Sequence, residues 1–158
     1  MPMNLSDDLD ISQSQLNEPS VDFLLLADRA EAVNGKLYML GGAWDRMFVE
    51  DIKLRSVISV AIGILVPWNA TNKMHTASIA VVDTDGQPAG FSAELQFSQG
   101  RPPWITGVET QRIVLALPAV PIVFPRFGDY VVKAYINGMH QKDVSFKILP
   151  VPGTSASE

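Results

Sequence analysis

No cysteine occurs in the 158-residue chain, and histidine occurs only twice, at His75 and His140. The first absence removes thiolate nucleophiles, disulfide staples and every zinc or iron–sulfur site built on cysteine. The second leaves two isolated rings with no HxH or HxxxH spacing, so the local sequence specifies no metal site and no metal is expected. Phosphate loops are missing as well, because neither G-x-G-x-x-G nor G-x-x-x-x-G-K-[ST] occurs, and no other cofactor is expected. The G-x-S-x-G elbow of serine hydrolases is also absent; Ser98-Gln-Gly100 lacks its leading glycine. No apolar run is long enough to span a membrane, since the longest candidate, Val57 to Val66, stops at Pro67.

A surplus of positive charge is lacking too. Seventeen acidic and twelve basic side chains give a net charge of −5. Asp7, Asp8, Asp10 and Glu18 stand in the first twenty residues with no lysine or arginine, and Glu158 stands at the other end. The remaining twelve acidic side chains, between residues 21 and 157, are matched by all twelve basic ones. A neutral body exerts no general pull on phosphate backbones or anionic lipid, so neither nucleic acid nor membrane is an expected partner. The same neutrality removes the repulsion that keeps copies apart and favours self-association. The first twenty residues have no basic start and no apolar core of a secretory signal, which makes the cytoplasm the expected compartment.

What is present is a succession of short apolar runs separated by turn signals, the pattern of an all-β chain. Val21 to Ala27 is nearly continuous in apolar residues, as in a strand buried on both faces. Asn34-Gly35 then signals a tight hairpin, with Leu37 to Leu40 as the returning strand. In Val57 to Val66, Ile58, Val60, Ile62, Ile64 and Val66 make one β-branched face, while Ser59, Ala61 and Gly63 keep the other small. Such a strand is central, with one face approached closely. His75 to Asp83, Phe91 to Phe97, and the pair Tyr130–Ile136 and Val144–Ile148 around Asn137-Gly138 read as further strands. Pro118 and Pro121 break the run from Arg112 to Phe124 and place it at a sheet edge or bulge. A short helix is expected only within Ala43 to Arg55. The count is about eight or nine strands in an antiparallel β-sandwich or barrel. The tails are an acidic disordered segment over 1–20 and a flexible one over 150–158, around a domain at 21–149.

The segment Phe127-Gly-Asp-Tyr-Val-Val132 resembles the tyrosine corner of immunoglobulin-like sandwiches, with Tyr130 as the tyrosine and Val132 at the position of the antibody cysteine. This resemblance implies an immunoglobulin-like sandwich of the disulfide-free kind. A second resemblance covers most of residues 21–149. Ala27-Asp-Arg-Ala30, Asn34-Gly-Lys-Leu-Tyr-Met-Leu-Gly-Gly42, the DTDG turn at 83–86 and the FGDYVVKAYING stretch at 127–138 are similar to a bacterial family of small β-sandwich proteins known only as a domain of unknown function. It implies a fold and no activity.

Each candidate for chemistry has a structural counterpart. Trp44, with Asp45 and Arg46, offers a stacking platform, yet a tryptophan there more often covers the end of a β core. Gly41-Gly42 is read as a corner between strands. Asp28 or Glu31 is expected to pair with Arg29 or Arg46 rather than to act as an acid–base couple. Asp83-Thr-Asp-Gly86 is read as a hairpin turn, because no calcium-binding glutamate follows at the right distance. His140 is expected at an exposed hairpin tip. The best site candidate is Gly100-Arg-Pro-Pro-Trp-Ile105, where Arg101 and Trp104 are residue types enriched at binding hot spots. Packing of Trp104 on the end of the sandwich is an equal alternative. Trp68, after Pro67, is the second candidate.

Two functions follow as expectations. The first is a non-catalytic β-sandwich that binds another protein or copies of itself, acting as no enzyme. The alternative is a small-ligand module for a sugar or nucleotide, with Trp68 or Trp104 stacking and Arg101 beside them. Catalysis would require His75 or His140 to meet two carboxylates.

Overall fold

A computed structural model describes residues 17–105 and 107–153. Most of the two expected tails, residues 1–16 and 154–158, lies outside the described residues. Nine strands follow one another: β1 (Ser20–Val33), β2 (Lys36–Gly42), β3 (Arg46–Val49), β4 (Ser56–Val66), β5 (His75–Asp83), β6 (Pro88–Phe97), β7 (Gln111–Ile122), β8 (Gly128–Ile136) and β9 (Met139–Pro150). They form a four-stranded sheet in the order β2-β1-β4-β7 and a five-stranded sheet in the order β3-β9-β8-β5-β6.

The inner face of β4 sets the core. Ile58, Val60, Ile62, Ile64 and Val66 are all fully buried and pack against Ile79 and Val81 of β5, Val132 and Ala134 of β8, and Phe146 and Ile148 of β9. The period of two puts the small residues Ser59, Ala61 and Gly63 on the opposite face, and these are buried too. The cover comes from β1. Its first half pairs with β4, from Ser20↔Leu65 to Ala27↔Ser59, and its second half pairs with β2, from Ala27↔Gly42 to Val33↔Lys36. The Phe23 ring lies where a Cβ on Gly63 would stand. Further along, Ala27, Ala30 and Ala61 form a second small cluster with Leu25, Leu37, Met39 and Ala116. Beyond Ala27, therefore, β1 and β2 make a two-stranded arm.

Both predicted tight turns are present. Asn34 and Gly35 have φ of +51° and +74°, and Asn137 and Gly138 have +49° and +80°, as a type I′ turn requires. The tyrosine corner is also formed. The Tyr130 hydroxyl donates to the carbonyl of Arg126 at 2.6 Å and accepts the Arg126 N–H at 3.2 Å. Its ring stacks on Phe146 with centroids 5.8 Å apart.

Two expectations need correction. The helix within 43–55 is replaced by β3, which runs parallel to β9 from Arg46↔Lys147 to Val49↔Pro150. The chain leaves the first sheet through Ala43, at φ +64°, and crosses to the far edge of the second; the N–H of Lys147 bonds the carbonyl of Asp45 as it arrives. The sandwich is consequently not antiparallel throughout, since β3–β9 is a parallel pair. The expected placement of the proline-broken run at an edge or a bulge holds: β7 is the outermost strand of its sheet, Pro118 sits at the register shift opposite Ile58 and Val60, and Pro121 pairs with Val57.

Candidate functional site

Trp68 and Arg101 come together at one end of the sandwich. A single 3-10 turn, Trp68–Ala70, follows β4, and the loop after β6 folds back on it. The Arg101 guanidinium lies 3.9 Å from the centroid of the Trp68 ring, a cation–π arrangement. Its Nε–H donates to Thr71 Oγ1 at 2.7 Å and its Nη2 donates to the Trp68 carbonyl at 3.0 Å. Gln111 ties the same loop, giving Nε2–H to the Gly100 carbonyl at 2.9 Å and accepting from Gln99 at 2.7 Å. Arg101 thus fastens two loops, and its stacking occupies one face of Trp68.

Trp104 does not join them. It is 78% exposed and stands at the rim of a shallow groove of about 720 Å³ lined also by Pro102, Gln99, Gln111 and Leu115. Trp44 is far from both in role: it is half-buried, meets Phe146 edge-on at 6.1 Å, and its buried Nε1–H has no hydrogen-bond partner among the described residues. It covers the core.

The remaining polar groups are engaged in structure. His75 is buried against Phe97. Its Nε2 is 2.8 Å from the Ala70 carbonyl and so carries the hydrogen, leaving Nδ1 to accept from the Asn137 amide at 3.0 Å. That amide also donates to Glu18 at 3.1 Å. His140 is exposed and meets Asp143 at 2.6 Å. Burial of Asp143 opposes its ionisation, but the hydrogen bonds from His140 and Lys133 outweigh this and hold its carboxyl below the usual range. Among the described residues no group of three histidines and carboxylates is placed to hold a metal. The expected partners of Arg29 and Arg46 are corrected: Arg29 donates to the Asp28 main-chain carbonyl, and Arg46 pairs with its neighbour Asp45. Asp83 closes the β5–β6 turn, with Oδ1 accepting the N–H of Asp85 and of Gln87, each at 2.9 Å.

The surface that sequence reasoning passed over is the outer side of the arm. Leu37 and Met39 turn inward to the alanine cluster, whereas Lys36, Tyr38 and Leu40 turn outward. Tyr38 is 58% exposed, Leu40 72% and Val33, beside them on β1, 45%. Tyr38 and Leu40 border a groove of about 600 Å³ lined also by Arg29, Glu31, Pro118 and Ala119. The signal was legible: KLYML is apolar on both faces, more than a strand with one buried face needs. β2 is also the outermost strand of its sheet, with no strand on its far side among the described residues.

The fold and these surfaces define a two-sheet β-sandwich with an edge strand that exposes Tyr38 and Leu40. The chain belongs to the family of unknown function DUF6941, whose model matches residues 22–149. Among curated proteins none matches it. A solved structure, the Pseudomonas fluorescens alkylpurine DNA glycosylase AlkC bound to DNA containing an abasic site analog, is similar at 11% identity and a TM-score of 0.43. That likeness covers 84% of this chain and 30% of the glycosylase chain, so this protein spans under a third of its length. Among the described residues no helix is long and apolar enough to cross a membrane.

Proposed function

We propose that this protein is a non-catalytic, immunoglobulin-like binding module of the cytoplasm that joins another protein chain through the free edge of β2. The observation that carries this reading is Tyr38 and Leu40, exposed side by side on an edge strand with a free row of main-chain groups. Such an edge is a template for a further strand. Support for the immunoglobulin-like assignment comes from strand order: β4 and β7 neighbour one another as strands B and E do, β5, β8 and β9 as C, F and G do, and the corner tyrosine opens β8. The balanced charge of the body speaks against nucleic acid or lipid as the partner.

Lysine-directed cross-linking in the cytosol of producing cells tests it, with adducts mapped by mass spectrometry. Adducts are expected at Lys36 and are lost in Leu40→Glu. A Lys36 that links to no protein, this one included, would overturn the reading.

A small-ligand module remains the second reading, favoured by the exposed Trp104 above the groove with Gln99 and Gln111. Arg101 is less available for it, since its Nε and Nη2 are already bonded within the protein.

A further inference from the structure

Resting on that reading, we infer that the chain received by the β2 edge is a second copy of this protein, paired antiparallel through its own β2 about a two-fold axis at Tyr38. The two-residue turn at Asn34-Gly35 closes on the pair Val33↔Lys36, and such a turn closes on a hydrogen-bonded pair. Alternation from there directs the main-chain groups of Lys36, Tyr38 and Leu40 toward β1. Those of Leu37 and Met39 face the free edge, while their side chains are seated on Ala30, Ala61 and Ala116. The edge is therefore held firmly and its donors and acceptors are presented outward.

Two identical strands can pair only in registers that oppose residues facing the same way. Centring on Tyr38 opposes Leu37 to Met39 and Lys36 to Leu40. It uses every residue from Lys36 to Leu40 and stops short of Gly35 and Gly41, whose φ of +74° and +58° depart from extended backbone. Leu37 of each copy exchanges both main-chain hydrogen bonds with Met39 of the other. Tyr38 meets Tyr38 of the second copy in the closely spaced, non-hydrogen-bonded position, where aromatic pairs are favourable. On the same outward face each Lys36 stem lies against Leu40 of the other copy, and Glu31, the β1 neighbour of Tyr38, flanks the tyrosine pair on both sides. The stretch between the two turned glycines is centred on Tyr38, so a second copy supplies a partner strand of the same length and the same side-chain alternation. The other edges are guarded: β7 carries Pro118 and Pro121, β6 begins with Pro88, and β3 is four residues long. The neutral body adds no repulsion between copies.

The absence of cysteine allows a clean test on the full chain. In Tyr38→Cys the two introduced thiols face each other across the axis at a spacing within disulfide range, and mild oxidation is expected to give a covalent dimer in high yield. Leu40→Cys, set opposite Lys36, is expected to give little. By light scattering, the unmodified protein is expected at twice 17.2 kDa, and Tyr38→Glu to self-associate about tenfold more weakly or worse, as for loss of an interface aromatic. Circular dichroism of each variant should match the parent, because position 38 is exposed. A parent that stays monomeric throughout a concentration series would overturn the second copy. So would a dimer that survives Tyr38→Glu while oxidised Tyr38→Cys stays unlinked. Cross-links from Lys36 to a different protein in that case leave the broader binding reading standing, whereas their absence removes both.

Discussion

Asp83 shows how much one side chain contributes beyond its own turn. Its Oδ1 caps the N–H groups of Asp85 and Gln87, and its Oδ2 takes the Arg126 guanidinium at 3.1 Å. Arg126 in turn supplies the main-chain groups that hold Tyr130, so the β5–β6 turn and the tyrosine corner are joined. The N–H of Gln87, followed by Arg126 and the N–H of Asp85, keeps the carboxyl below its ordinary value despite the opposing effect of burial. A carboxylate lowered in the folded state stabilises the fold above the unfolded pKa of about 3.9, and that contribution is lost as pH falls through the lower folded value. Asp83→Asn should therefore lower the urea midpoint at neutral pH and flatten its decline on acidification below pH about 4. An identical acid limb in the variant would remove Asp83 from this role. Tyr130→Phe deletes the hydroxyl and leaves Arg126 N–H and C=O without it; a loss of roughly 1–3 kcal/mol is expected from denaturant unfolding. The role of Tyr130 was readable from FGDY alone, because the corner is local. The pairing of Arg101 with Trp68 was not, since it depends on a loop thirty-three residues away folding back.

At the scale of elements, β4 explains what a sequence can and cannot say. Its alternation of β-branched and small residues announced a central strand with one closely covered face, and this is what the structure holds. Which segment does the covering is a long-range matter: the ring of Phe23, from a strand read only as a continuous apolar run, fills the space over Gly63. Gly63→Ala should accordingly cost about 1–3 kcal/mol by overpacking, measured as a fall in thermal midpoint, whereas adding a methyl at exposed Gly86, which has open space, would act only through its φ of +77°. A Gly63→Ala protein as stable as the parent would mean that the cover is loose. The segment 43–55 was misread for the same physical reason. Its strand β3 is defined by a partner about a hundred residues later in the chain, and local pattern carries no trace of that pairing. The arm lies between these cases. Its hairpin was legible from Asn34-Gly35, but its significance emerges only once Ala30, Ala61 and Ala116 are seen to anchor one face and leave Tyr38 and Leu40 on the other.

For the whole molecule the deciding quantity is the distribution of charge. Between residues 21 and 157 the charges cancel, and several of the ion pairs, such as Arg46 with Asp45 and Lys147 with Asp129, are exposed. Pairs of that kind contribute little and weaken further with salt, since the screening length is near 10 Å at about 0.1 M. An assembly built on them would come apart as salt rises. One built on main-chain hydrogen bonds and the Tyr38 pair has no such dependence, and apolar burial is strengthened by salts excluded from protein surfaces. Light scattering across a rise in sodium chloride should therefore leave the dimer intact, and sodium sulfate should tighten it. Dissociation on adding salt would instead put surface charge, not the strand edge, in charge of association. Removing residues 1–16 should also leave the mass doubled, because the proposed interface lies wholly within Glu31–Leu40 and draws nothing from the acidic segment. If the shortened chain were monomeric, the second copy would be held by that segment, and the β2 edge would be left for a different partner.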